Sequence, residues 1–167
     1  MSKSSIVTAR ATPLQKTTKA SSGGLVIHGE NFVVDSAKRV ELVDLTDRLM
    51  VYVRKFAIRE GMVTLSSMHT TCALFINESQ SALDTDIIKF LEEMVAQDRY
   101  YKHNDPDHSD CDRRNADSHL RAMLLGHALT LQVSGGEIVL GQWQRILMGE
   151  LDGPRSRTIR VQVLGIS

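Results

Sequence analysis

The sequence predicts an α+β fold in a single domain. Three observations carry that expectation. The chain has 167 residues, enough for one substantial core and too few for two comfortable ones. Three stretches before Gly126 place apolar residues at helical spacing, and the remainder alternates short β-prone runs with glycine turns.

Composition narrows the class. Twenty Lys+Arg balance twenty Asp+Glu, and 42% of residues are hydrophobic, as in ordinary globular proteins. That balance gives no electrostatic footprint for a nucleic-acid partner. Cys72 and Cys111 form no CxxC pair, so neither a zinc ribbon nor a disulfide framework is indicated, and a reducing, cytoplasmic setting is expected. No apolar run approaches the roughly 18 residues of a membrane span, and no membrane partner is expected.

Residues 1–29 differ from the rest. They carry Lys3, Arg10, Lys16 and Lys19 among many Ser and Thr, and the first acidic residue is Glu30. This basic extension reads as a flexible cytosolic tail with a short strand around Leu25–Ile27; the alternative is an organelle transit peptide. Residues 30–167 then form the domain.

Within it, Asn31–Asp35 and Arg39–Asp44 are β-prone runs joined by Ser-Ala-Lys, which reads as a hairpin. A helix follows with Thr46 as N-cap, Asp47 in its first turn and Leu49, Val53 and Phe56/Ala57 at helical spacing, ending by Glu60-Gly61. Met62–Met68 is a strand, and Ala73–Ile76 continues it or pairs beside it. A second helix begins at Ser81 and carries the stripe Leu83, Ile87, Leu91 and Val95. Residues 98–114 lack any apolar period and form a polar loop. A third helix covers Asp117–Leu125 and stops at Gly126. ALTLQV, EIVLG, QWQRILMGE and Arg157–Leu164 follow, separated by Gly turns, and predict an antiparallel C-terminal sheet.

The acidic loop superficially resembles a calcium loop starting at Asp105, but its sixth position is Asp110 where Gly is needed and its twelfth is Ala116 where Glu is needed. Histidines are the better lead. On the strand period, His69 ends a row formed by Val63, Leu65 and Ser67, so an imidazole closes an otherwise core-facing line. His103 follows Tyr100-Tyr101, aromatic anchors able to carry it back over the core. His119 lies in the first turn of the third helix, where the dipole disfavours imidazolium and suits the ring to metal ligation or general-base work. His127 lies about 12 Å further along that helix and cannot join it at one metal. A strand end, a loop and a helix start are the separate elements from which a shared site is assembled.

Arg155 and Arg157 share the strand face of Ile159, Val161 and Val163, so two guanidinium groups lie at the mouth of an apolar face. Two readings stand: internal pairing with Glu150, Asp152 or Asp117, or a phosphate clamp beneath the Gly153-Pro154 turn. Trp143, the only tryptophan, reads as core or interface.

Five ordered blocks, HTTCALFINE (69–78), YKH (101–103), NADSHLRAMLLG (115–126), GQWQ (141–144) and DGPRSR (152–157), resemble the YjbQ-like family, often called secondary thiamine-phosphate synthase. The resemblance spans about residues 31–166. It implies a compact α+β fold built around a β-sandwich-like sheet, and a homotrimer with sites near subunit interfaces. It also implies that His69, His103 and His119 come together as metal ligands or acid/base groups. The implied reaction couples a pyrimidine pyrophosphate to a thiazole phosphate and releases pyrophosphate. Such a reaction needs a divalent cation, magnesium or zinc, with Glu78 and Glu150 as secondary carboxylates and Arg155 and Arg157 as anion binders. The alternatives are a metal-dependent hydrolase and a noncatalytic trimer that binds a phosphometabolite or metal.

Overall fold

The computed structural model describes residues 17–22, by backbone alone, and 24–166. Most of the basic extension, on which the tail and transit readings rest, lies outside them. Nine strands and three helices are described: β1 Thr17–Ser22, β2 Leu25–Asp35, β3 Glu41–Asp44, α1 Thr46–Arg54, β4 Glu60–Ser67, β5 Cys72–Asn77, α2 Ser81–Met94, α3 Ala116–Leu125, β6 Ala128–Ser134, β7 Glu137–Ile138, β8 Arg145–Glu150 and β9 Ser156–Ile166. The strand expected at Leu25–Ile27 is the start of the longer β2, paired with β1, so the sheet begins ahead of residue 30.

The strands form two antiparallel sheets: a six-stranded one in the order β1-β2-β9-β4-β6-β7 and a three-stranded one in the order β3-β8-β5. The main core lies between them. Phe32 and Val34 of β2, Val63 and Leu65 of β4, and Ile159, Val161 and Val163 of β9 meet Leu74, Ile146 and Met148 of the small sheet, with Leu49 and Val53 of α1 added. On the small sheet's other face, Ala73 packs with Leu91 of α2 and Ala122 of α3. Two covered faces explain the sequence of β8. Ile146 to Glu150 are buried without alternation, whereas β9, open on one face, alternates buried and partly exposed positions along its length.

The α+β expectation and the three helices hold. The hairpin expected over 31–44 does not form. β2 pairs with β9, with Asp35 opposite Ser156, while β3 pairs with β8, so Ser36–Val40 carry the chain between the sheets. Period-two alternation fixes which face a residue takes and leaves the partner strand open. For the same reason β5 neither continues β4 nor pairs with it. Helix α1 starts at Thr46, with Leu45 at the cap position. The Asp44 carboxylate accepts from Thr46 N at 2.8 Å, and the Thr46 hydroxyl accepts from Ile146 N at 2.8 Å. Trp143 is 66% exposed, so it is no core residue. Among the described residues no helix is long and apolar enough to cross a membrane.

Candidate functional site

Two chain crossings between the sheets lie side by side and build a pocket floor. Met68–Thr71 take the chain from β4 to β5, and Leu151–Arg155 take it from β8 to β9. Leu151 N donates to Thr71 O at 3.2 Å, and Met68 N donates to Thr158 O at 3.1 Å, so the crossings are stitched to each other and to β9. Over them lies a pocket of about 340 Å³. His69, Thr70 and Thr71 come from one crossing, Asp152 and Arg155 from the other, and Arg157 from the start of β9. The loop ahead of α3 adds Cys111, Arg113 and Asn115, and His103 and His119 complete the wall.

Each histidine is placed by local chemistry. His69 Nε2 accepts the Thr158 backbone N–H at 2.8 Å. The imidazole is therefore tied to β9, and in its neutral form the ring proton resides on Nδ1. Burial and the Arg157 charge hold its pKa below the ordinary value, with Glu150 opposing. His103 lies in a short 3₁₀ turn, Lys102–Asn104. The neighbouring Asn104 side chain accepts from Ala116 N at 3.0 Å, which caps α3 from outside and pins the turn to the start of that helix. Tyr101 adds a second tether, its hydroxyl donating to Ala96 O at 2.7 Å. Tyr100 is no such anchor; it is exposed and bonds to Asp105. The His103 and His119 rings stand edge to face with centroids 5.1 Å apart. The His119 pKa is lowered first by burial and then by His103, against Asp152 and Asp117.

Below the histidines is a network of arginines and carboxylates. Glu150 is fully buried and faces Arg157 through two contacts, one of them Nε to Oε2 at 2.6 Å. Burial alone would raise its carboxyl, but the Arg157 hydrogen bonds, the Asp152 N–H and the Ser36 hydroxyl hold it below the usual carboxylate value. Arg157 also donates to the Thr71 hydroxyl at 3.1 Å. Asp152 is the hub: it accepts from Arg113 Nε at 3.0 Å and Asn115 Nδ2 at 2.8 Å, with Arg155 at 3.2 Å and Arg39 at 3.6 Å. Arg39 continues to Asp117, which also meets Arg121. Five guanidinium groups thus meet three carboxylates, Glu150, Asp152 and Asp117, and the cluster is left net positive. Arg155 Nη2 is buried without a hydrogen-bond partner despite the nearby Asp152 carboxylate.

Of the residues selected from sequence, His69, His103, His119, Arg155 and Arg157 line this one pocket. Glu150 lies beneath it, consumed by Arg157. Glu78 is exposed at the far end of β5 and stands apart from it. Internal pairing accounts for Arg157, whereas Arg155 lines the pocket with its Nη2 3.2 Å from Asp152 and without a hydrogen bond. Sequence reasoning offered Asp152 as a pairing partner for the arginines but gave no role to Arg113 and Asn115, because these two sit in or beside an aperiodic polar loop. The signal for Asp152 was the density of Arg and Asp around a Gly-Pro turn.

His69, His103 and His119 line the same pocket, and the latter two are in ring contact. His69 has given Nε2 to a backbone N–H, and among the described residues no three His, Cys, Asp or Glu side chains form a metal-holding group. Cys72 is no nucleophile here, because it is fully buried and burial pushes its thiol up.

Residues 30–166 match the family model described as UPF0047 protein YjbQ-like. A UPF0047 protein of Methanothermobacter thermautotrophicus is 43% identical over 83% of this chain and 93% of its own length; one of Archaeoglobus fulgidus is 43% identical over 77% and 95%. A crystal structure of a YbjQ-like protein of unknown function from Sulfolobus solfataricus P2 has a TM-score of 0.78 at 36% identity, covering 84% of this chain and 99% of that one. A hypothetical protein from Aeropyrum pernix K1 gives 0.75 at 33% identity over 82% and 98%. These names correct the expected activity. The relatives carry only the family designation, the Sulfolobus protein is described as of unknown function, and nothing among them supports thiamine-phosphate synthesis. What the match of model, sequence and structure does establish is that the chain belongs to the YjbQ-like UPF0047 family.

Proposed function

We propose that this pocket binds the oxyanion group of a small molecule, a phosphate being the best fit, and that His119 exchanges a proton with it. The observation that carries the reading is the surplus of guanidinium groups around Asp152 directly below an imidazole held neutral. Arg113 and Arg155 spend only part of their donor capacity on Asp152, and an oxyanion seated between them would accept charge-assisted hydrogen bonds from both. Beside that charge, neutral His119 becomes a stronger base, so binding takes up a proton near neutral pH. Asp152 orients the arginines; Arg157 and Glu150 hold the floor rigid.

A cytoplasmic setting and a homotrimer belong to the same proposal. The trimer is supported by the resemblance and by apolar side chains left open on α2 and α3: Phe90, Met94, Met123 and Leu124 are all more than half exposed. A divalent cation is given no step.

Titration calorimetry with inorganic phosphate in buffers of differing ionisation enthalpy tests the reading. Binding with proton uptake is expected; R113A/R155A should weaken it about tenfold or more, and His119→Gln should abolish the uptake. Absence of binding at millimolar phosphate, or a variant indistinguishable from wild type, overturns it.

A further inference from the structure

Two asparagines at the start of α3 have exchanged duties. Asn115 holds the cap position, yet its side chain makes no cap hydrogen bond; its Nδ2 donates instead to Asp152 at 2.8 Å, in the pocket floor. The first helical N–H, that of Ala116, is met by the side chain of Asn104 at 3.0 Å, from twelve residues earlier in the chain. Asn104 closes the 3₁₀ turn that carries His103, and its own N–H donates to Tyr101 O at 2.9 Å. The acceptor for the helix and the imidazole next to it therefore belong to one short, internally bonded unit.

We infer that Asn104 is a positioning residue of the oxyanion site: by capping α3 from the polar loop, its side chain sets His103 against His119 as one wall of the pocket. The inference rests on the oxyanion reading above and adds the residue that holds that wall in place. The His103 ring is exposed, and its described contact is the edge-to-face packing on His119, with no hydrogen bond of its own. Such a ring stays where its backbone puts it. The other tethers of the loop do not fix that backbone relative to α3. The Tyr101 hydroxyl reaches only Ala96 O, just past the end of α2, and the Asp105 carboxylate accepts from Tyr100 and Asp107 within the loop itself. Arg113 meets Asp152 only at the loop's far end. Among the described residues, Asn104 to Ala116 is thus the side-chain hydrogen bond that ties the His103 turn to the helix carrying His119. Two imidazoles held together offer an arriving oxyanion N–H donors in fixed positions, and fixing them beforehand removes part of the ordering cost of binding.

NMR on the full chain reads the contact directly, through the nuclear Overhauser effect between the His103 and His119 ring protons. The effect should be present in wild type and in Asn104→Asp, which keeps an accepting oxygen for Ala116 N, and absent in Asn104→Ala. Calorimetry with inorganic phosphate reads the consequence. Asn104→Ala and His103→Ala should each weaken binding about fivefold, the scale of one hydrogen bond. N104A/H103A should weaken it no further, because both act through the same ring. A cap that served only the helix would leave the ring contact intact and make the two losses multiply. Should N104A fail to fold, Asn104→Ser, whose shorter side chain falls short of Ala116 N, carries the same expectations. If wild type binds no phosphate, the oxyanion reading falls and this inference falls with it. If phosphate binds but ring contact and affinity survive in N104A, or the two losses multiply, the oxyanion reading stands and the positioning role of Asn104 is refuted.

Discussion

His69 gives its Nε2 lone pair to the Thr158 N–H, and that single bond settles which nitrogen remains for other work. Protonation would set a second donor against the backbone donor and break the tie. His69 and His119 both have folded pKa values below the ordinary imidazole value of 6.5. The unfolded chain therefore takes up protons first as pH falls. Stability from these groups is fully present above 6.5 and is lost as pH drops from there through the lowered folded values. Urea unfolding should give a smaller free energy at about pH 5.5 than at about pH 7.5. H69Q/H119Q should flatten that difference, and an unchanged slope in the double variant would assign it to other groups. At this scale the histidines were legible in the sequence, because an imidazole ending an apolar strand row or opening a helix breaks the local pattern. Asp152 was legible only as a partner for Arg155; that Arg39 and Arg113 also meet it was not, since both come from distant parts of the chain.

Among the elements, β4 and β9 approach each other closely at a pair of facing glycines. Gly61 lies opposite Gly165, and a Cβ on Gly61 would stand 2.1 Å from Leu164 O and 2.7 Å from the Gly165 Cα. Neither obstacle is a flexible side-chain tip. Gly61→Ala must spread the two strands, at a cost of roughly 1–3 kcal/mol, read as a lower urea midpoint. Because Gly61 opens β4 and the pocket lies beyond its end, phosphate affinity of the folded variant should be unchanged; a parallel loss of affinity would mean that the strain travels along β4. Helix α3 and its Gly126 stop were legible, because Leu, Ala and Met recur at helical spacing and Gly126 takes φ +94°. The false hairpin over 31–44 was also well patterned, since β2 has a buried face and β3 is half-buried with Val43 against the core. Only long-range partner choice separates the two cases, and local sequence does not encode it.

For the molecule as a whole, the exposed apolar side chains of α2 and α3 set an expectation about assembly. Light scattering should give three times the mass of one chain, and F90D/M123D should return a single-chain mass; a wild-type chain of single mass would refute the trimer. The site itself is built from the join between two sheets rather than from either one. His69 and Thr158 are 89 residues apart, Arg157 and Thr71 are 86, and Arg39 and Asp117 are 78. No contiguous peptide shorter than most of the domain contains those partners. The pocket therefore cannot be grafted, inherited by a fragment or recombined piecemeal, and a chain that presents it has already completed its whole topology.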